Sequence, residues 1–562
     1  MLFYGTGLPA PLLPGNEAML YKPPAPDALL LHIMNILVAE PIAPAALDLL
    51  RGEPGWNVIV SNPKEYAQHL AEAEALLVRS AVQVTPEVLS KSPKLRVIGR
   101  AGVGVDNVDL DAATMAGVLV MNTPGGNAVS VAEHTLALML AMARHIPQAS
   151  ASTRAGKWEK KKLMGRELRG KTLGVVGLGS IGREVVKRAR AFEMRVVAND
   201  PYVTSKIAED VGAELVELAA LYAQSDYITL HVAATPETTG MLSREAFAAM
   251  KTGVRIVNCA RGELVDEVAL AEAVASGKVA GAAVDVFAVE PVPAGYPLLV
   301  SEAVLATPHI GGSTEEAQEI VGIRIAQQVV EYLKSGVAIN AVNMPALSPD
   351  QYRALSPYMA LAERLGNFAA YIANGNPRIV RLTYFGRIAD GNTNLLRNAG
   401  VAGALSRSTS KKANLVNAMT IAEHRGWTVQ EGREPRSGHT DSIRLDLITD
   451  SGVTTVEGAV LLGKPRLMQV DGIQCEMALA GSLIYMNNLD VPGVIGHVGT
   501  VLGRNQINIA NFSLGRRDKP TVPGQPLDAV ALVSTDGLVP ESVLAQLRDH
   551  SGVKFARAVE FE

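Results

Sequence analysis

One rhythm constrains this chain more than anything else. From Met34 to about Leu333, short β-branched runs alternate with helical stretches. The runs include Ile36-Leu37-Val38, Leu76-Leu77-Val78, Val97-Ile98, Val118-Leu119-Val120, Leu173 to Val176, Val196-Val197, Tyr227 to Leu230, Arg255 to Val257 and Ala282-Ala283-Val284. Strands separated by helices make βαβ units, and their sheets are parallel. So many runs exceed one small sheet, so two α/β lobes are expected.

Within the second lobe one turn carries chemistry. Gly177-Leu178-Gly179-Ser180-Ile181-Gly182 follows an apolar strand and opens a helical run, Glu184 to Phe192. Gly177 allows the tight turn, Gly179 lets backbone approach a pyrophosphate, and Gly182 permits close helix–strand packing. The helix start at Ser180 and Ile181 then offers N–H groups to phosphate. The next strand ends at Asn199-Asp200. Asp200 stands where an acid binds a ribose 2′-hydroxyl and repels a 2′-phosphate, which favours NAD over NADP.

Three polar residues follow later strand ends: Arg261 after Arg255 to Val257, Glu290 after Ala282 to Val284, and His309 after Val304-Leu305. Ligands of open α/β sheets bind beyond the carboxyl ends of strands. Oxidising a 2-hydroxy acid needs a base near neutral pH, which His supplies. A carboxylate on its second nitrogen fixes the tautomer, and a guanidinium can grip the substrate carboxylate bidentately. Taken singly, each residue more often fills a loop, surface or pairing role.

Composition removes other classes. The 562 residues carry 52 Lys plus Arg and 56 Asp plus Glu, a net charge of −4. A general nucleic-acid or anionic-membrane binder would be basic. The longest clean apolar run, Leu136 to Ala143, is far too short to span a bilayer. Two cysteines, Cys259 and Cys475, exclude a disulfide framework and a Cys-rich zinc site, and no metal is expected. A reducing cytoplasm fits them. Residues 1 to 33 hold six prolines before Ala28 and no arginine. They match neither a secretory signal nor a transit peptide, and a disordered extension is expected.

Several runs now resemble a known family, the D-isomer-specific 2-hydroxyacid dehydrogenases. They are Val176 to Arg183, Asn258 to Asp266, Asp285 to Pro291 and Pro308 to Thr314. Arg100 to Asp109, Asn122-Thr123-Pro124, Ser130 to Glu133 and His231 to Gly240 add to it, with Ala233 where the family often has proline. The resemblance implies that Arg261, Glu290 and His309 are the catalytic set, that Asp285 and Gly311 lie at the cofactor, and that Cys259 lines it. It further implies that Arg79 binds the substrate anion with help from Ser80 and Asn127. Lys157 to Lys162, around Trp158, would reach a neighbouring subunit's substrate phosphate; the alternative is a solvated helix face.

The rest of the chain changes texture after Ser335. A helix is expected over Pro357 to Ala373, strands over Ile379 to Phe385, Ile443 to Ile448 and Gly458 to Leu462, and a loop over Gly432 to Thr440. The last stretch reads βαββαβ, a ferredoxin-like module, and Leu483 to Asn511 resembles an ACT domain. The expected layout is a substrate-binding domain of residues 34–125 and 310–337, an NAD-binding domain of 126–309, an intervening domain of 345–478 and an ACT domain of 482–562. Both early lobes would be Rossmann-like.

That layout resembles the long members of the family. These oxidise 3-phospho-D-glycerate to 3-phosphooxypyruvate at the first step of L-serine biosynthesis. The resemblance implies a phosphorylated 2-hydroxy acid as substrate, serine as effector at Asn488, Asp490 and Asn508, and a homo-oligomer, dimer or tetramer. Asp490 reads equally well as a cap for the helix starting near Pro492. Two other functions stay open: a hydroxypyruvate or glyoxylate reductase with a regulatory tail, and a non-catalytic NAD-sensing scaffold.

Overall fold

The computed structural model describes residues 33–408, 413–434, 441–520 and 523–561. The expected extension, residues 1 to 33, lies outside these apart from Ile33.

Five parallel strands form the first sheet, in the order Trp56–Val60, Met34–Val38, Ala75–Val78, Val97–Arg100 and Leu119–Met121. Ile36, Leu37, Leu76, Leu77, Val97 and Ile98 are fully buried. Burial on both faces explains why these runs show no polar alternation. The strand order reverses between Met34–Val38 and Ala75–Val78.

Seven parallel strands form the second sheet. Their order is Val304–Ala306, Val279–Val284, Val254–Asn258, Tyr227–Leu230, Thr172–Val176, Arg195–Asn199 and Glu214–Leu215. Here the reversal lies between Tyr227–Leu230 and Thr172–Val176. Each reversal opens a crevice beyond the carboxyl ends of the strands.

The chain returns to the first sheet after the second is complete. Thr314 caps the helix Glu315–Ser335 by accepting from the Ala317 N–H. Its Ile325 and Val329 pack where Gly99 leaves no side chain. Ala341 then bridges Met121, and the Asn343 side chain accepts from the Val120 N–H at 2.9 Å.

A helix reads from the sequence as starting at Pro357, but it spans Pro349–Ile372 with Pro357 inside. Ser348 and Gln351 form a capping box, and Pro349 sits in the first turn, where no N–H is needed. Gly366 and Gly403 let this helix and Asn394–Leu405 meet backbone to backbone, while Gly400 makes room for the Leu382 side chain of the sheet. Both lie against a six-stranded sheet ordered Thr428–Glu434, Pro377–Phe385, Ser442–Thr449, Gly452–Leu461, Lys464–Val470 and Ile473–Ala478. The stretch Gly432 to Thr440 reads as a loop, yet its first three residues belong to the edge strand Thr428–Glu434. An edge strand keeps polar side chains because its ladder is made by backbone. Residues 435–440 lie outside the described residues.

The final sheet is antiparallel, ordered Ile509–Arg516, Asp528–Thr535, Gly481–Leu489 and Val553–Phe561. With helices Val494–Arg504 and Glu541–Arg548 it has the ferredoxin-like βαββαβ order. Tyr485 packs edge-on between Phe368 and Phe555, tying this sheet to the long helix. Among the described residues no helix is long and apolar enough to cross a membrane.

Candidate active site

The glycine turn ends the strand Thr172–Val176 at the reversal in the second sheet. Gly177 has φ 94°, and a Cβ there would lie 2.6 Å from the His231 carbonyl oxygen. A Cβ at Gly182 would strike the Gly177 carbonyl, so helix and strand need both glycines. Gly179 differs: among the described residues nothing lies within 4 Å of where its Cβ would be. That open space borders the start of the helix Ser180–Ala191, which no side chain of the described residues caps. Its first N–H groups, on Ser180, Ile181 and Gly182, suit a pyrophosphate. Asp200 accepts from the Leu178 N–H at 2.8 Å and the Tyr202 N–H at 2.9 Å. It thus shapes the glycine turn and keeps lone pairs for a ribose hydroxyl. These residues fit a dinucleotide.

Arg261, Glu290 and His309 follow three neighbouring strands, Val254–Asn258, Val279–Val284 and Val304–Ala306. His309 Nδ1 lies 2.8 Å from Glu290 Oε2. The other Glu290 oxygen accepts from the Phe287 N–H at 2.9 Å, which fixes the carboxylate. His309 is held at φ 54°, with its N–H donating to the Asp285 carbonyl at 2.8 Å.

Asp285 is the knot of this loop, 1% exposed. Oδ1 accepts from Thr307 Oγ1 at 2.6 Å and the Ile310 N–H at 2.9 Å, and Oδ2 from the Gly311 N–H at 2.8 Å. Burial would raise its carboxyl, but His134, Thr307 and these N–H groups hold it below the usual carboxylate range. His134 also meets Thr307 at 3.1 Å and Asp285 at 3.3 Å. Nothing local in the sequence marks His134, because its partners lie more than 150 residues away.

Arg261 crosses between the lobes. Its Nη2 lies 3.1 Å from Asp106 Oδ2 in the first lobe, while Nη1 donates to the Ala260 carbonyl at 2.7 Å. Buried Asn258 folds the intervening turn, donating to the Arg261 carbonyl and accepting from the Ala260 N–H. Cys259, between them, is buried, and burial pushes its thiol up to about 12. Such a thiol carries almost no thiolate and is no nucleophile.

Arg79 and Ser80 follow Ala75–Val78 at the reversal in the first sheet. Arg100, which ends the strand Val97–Arg100, is a member of this cluster that sequence reasoning missed. Its Nε is buried with no hydrogen-bond partner among the described residues. Burial lowers the Arg100 pKa, and the charges of Asp106, Arg261, Glu40 and Arg79 all act on it. The positive charges of Arg79, Arg100 and Arg261 thus act on one another in a chain whose net charge is negative. Asn127 precedes the helix Ala128–Ala143, and its buried Oδ1 also has no partner among the described residues.

Lys157 to Lys162 do not form a helix face. Gly156, at φ 72°, follows the end of the helix Ile146–Arg154, and Trp158 beyond it is 85% exposed. Lys162 pairs with Glu159 at 2.8 Å.

In the last sheet the three proposed effector residues separate. Asn488 is buried, with Oδ1 unpartnered among the described residues. Asp490 does not cap the helix, whose N-cap is Gly493. It pairs with Arg516 at 3.0 Å. Asn508 donates to Asp536 at 2.8 Å, next to Ile509, which pairs with Thr535 at the opposite end from Arg516 and Ala529. One chain alone does not bring Asn508 to Asp490. No group of three or more His, Cys, Asp or Glu suited to a metal occurs among the described residues.

Comparison with known proteins gives two family matches. Residues 136–311 match the D-isomer specific 2-hydroxyacid dehydrogenase NAD binding domain. Residues 354–471 match the D-3-phosphoglycerate dehydrogenase intervening domain. The chain is 42% identical over 524 residues to a D-3-phosphoglycerate dehydrogenase of Methanocaldococcus jannaschii, covering 93% of this chain and 99% of that one. It is 37% identical to that of Bacillus subtilis, over 92% of this chain and 97% of the relative. Among solved structures, a glyoxylate reductase from Paecilomyes thermophila superposes with a TM-score of 0.50 and 30% identity, over 57% of this chain and 99% of its own. An NAD complex of a formate dehydrogenase from Staphylococcus aureus gives 0.50 and 28%, over 56% and 100%.

Proposed function

The chain belongs to the D-3-phosphoglycerate dehydrogenases of the D-isomer specific 2-hydroxyacid dehydrogenase family, and from that membership we infer that it oxidises 3-phospho-D-glycerate to 3-phosphooxypyruvate with NAD. This is the first step of L-serine biosynthesis. The observation that carries the chemistry is the His309–Glu290 pair beside Arg261 at adjacent strand ends.

The glycine turn and Asp200, with Cys259, Asp285 and Gly311, would hold NAD, which would supply the acceptor for the hydride leaving C2. His309 Nε2 accepts the C2 hydroxyl proton. Glu290 keeps the Nδ1 proton in place and stabilises the imidazolium that forms. Arg261 grips the substrate carboxylate and polarises the C2 oxygen. Arg79, aided by Ser80, Asn127 and Arg100, holds the phosphate. The four sheets support the division into residues 34–125 with 310–337, 126–309, 345–478 and 482–562. Substrate-dependent NADH formation tests the reading: 3-phosphoglycerate with NAD should be strongly preferred over glyoxylate with NADH. The reverse preference overturns it.

The same proposal extends to regulation. The last module binds serine at Asn488 and Asp490 of one chain, with Asn508 supplied by a paired copy, which makes the enzyme at least a dimer. The buried Asn488 Oδ1, without a partner among the described residues, and the separation of Asn508 from Asp490 support this. Two free buried cysteines support a cytoplasmic setting. Serine should slow NADH formation, and Asp490→Ala should weaken that effect without changing the uninhibited rate. A wild type indifferent to serine makes the module structural.

A further inference from the structure

Glu40 sits two residues past the strand Met34–Val38, beside Arg79 at the reversal in the first sheet. It is only 5% exposed, and a carboxylate is costly to bury unless it is satisfied. Here it is. Oε1 accepts from the N–H groups of Arg79 and Val82, both at 2.9 Å, and Oε2 from that of Ala81 at 3.1 Å. From the other side Asn107, 8% exposed, donates through Nδ2 to the carbonyls of Arg79 at 2.8 Å and Val82 at 2.7 Å. The Arg79 guanidinium itself donates to the Pro41 carbonyl at 3.3 Å.

Two buried side chains thus take both ends of a four-residue turn, one its N–H groups and the other its carbonyls. We propose that Glu40 and Asn107 are positioning residues that hold the turn Arg79–Val82 preformed as the seat of the substrate's phosphate. This rests on the reading of Arg79 and Ser80 as substrate-binding. Neither clamp residue touches substrate. A turn already ordered spends no binding energy on ordering when the anion arrives, so the gain appears in substrate affinity. The Glu40 charge also stands among Arg79 and Arg100, and it offsets the mutual repulsion of those guanidiniums before substrate enters.

Steady-state kinetics of Glu40→Gln test this. The new amide sets an NH2 against a backbone N–H where an oxygen accepted. The expected result is a KM for 3-phosphoglycerate raised about tenfold or more, with kcat and the KM for NAD within about twofold. Asn107→Ala should show the same split, and Glu40→Asp, which keeps the charge on a shorter arm, should recover part of the KM. NADH binding, followed by fluorescence, reports folding of each variant. If Glu40→Gln does not fold, Asn107→Ala decides. An unchanged substrate KM in a folded variant overturns the clamp, as does a KM for NAD that moves as far as that for substrate. A wild type that does not oxidise 3-phosphoglycerate overturns the underlying function instead.

Discussion

His309 Nδ1 faces Glu290 Oε2 at 2.8 Å, and the second Glu290 oxygen is anchored on the Phe287 N–H. The carboxylate therefore cannot turn away from the ring without giving up a backbone bond. That arrangement fixes which nitrogen is left for substrate. His309→Ala should lower kcat by about 10²- to 10⁴-fold. Glu290→Gln should lower it less, because the amide can still meet the ring but brings no negative charge to the imidazolium formed in the reaction. Steady-state kinetics measure both, and an unchanged kcat in Glu290→Gln would separate Glu290 from the base.

Arg261 meets Asp106, whose side chain is 73% exposed. An exposed pair contributes only about 0–1 kcal/mol, so Asp106→Asn should change kcat/KM by less than about tenfold. Arg261→Lys keeps the charge but loses the planar fork. Its kcat/KM should fall by at least about a hundredfold. Equal effects of the two substitutions would argue that Arg261 serves the lobe contact and not the substrate.

Asp200 supports the glycine turn through the Leu178 N–H and stands at the ribose position. Asp200→Arg should raise the KM for NAD about tenfold or more and narrow the preference over NADP. Selectivity measured with both cofactors decides. A raised KM for both in equal proportion would leave Asp200 with the turn alone.

His231 follows the strand Tyr227–Leu230, and Thr229 Oγ1 lies 3.0 Å from its Nε2. Burial pushes its ring down to about 3. An unfolded His titrates near 6.5. As pH falls below that value the unfolded chain binds a proton the folded chain refuses, so stability is lost on the acid side. His231→Gln should flatten the fall in Tm between about pH 7 and pH 5. Parallel curves for variant and wild type would remove His231 from the acid sensitivity.

Much of this molecule was written locally. The parallel sheets follow from β-branched runs that alternate with helices, because strand and helix periods are set by neighbours in sequence. The glycine turn follows in part: Gly182 is required by sterics within one βα unit, and Gly177 by its positive φ, although the His231 carbonyl of another strand also crowds it. The start of the helix Pro349–Ile372 was legible too, in Ser348 and Gln351, but Pro357 drew the boundary inward. The edge strand Thr428–Glu434 carried no apolar signal, since backbone pairing alone makes it.

What the sequence by itself determined was the α/β class of the two early lobes, the ferredoxin-like order of the last module and the residue types placed at strand ends. Only the tertiary structure decided which of those ends meet. Sheet order sets His309 beside Glu290, leads Arg261 across to Asp106, and ties Asp285 to His134. It seats Glu40 under Arg79 and carries Asn508 to the far end of the last sheet from Asp490. These partners lie from about twenty to more than 150 positions apart. Local propensity has no reach over such distances. The crossings of the βα units, and the burial that makes an unpaired charge costly, select them.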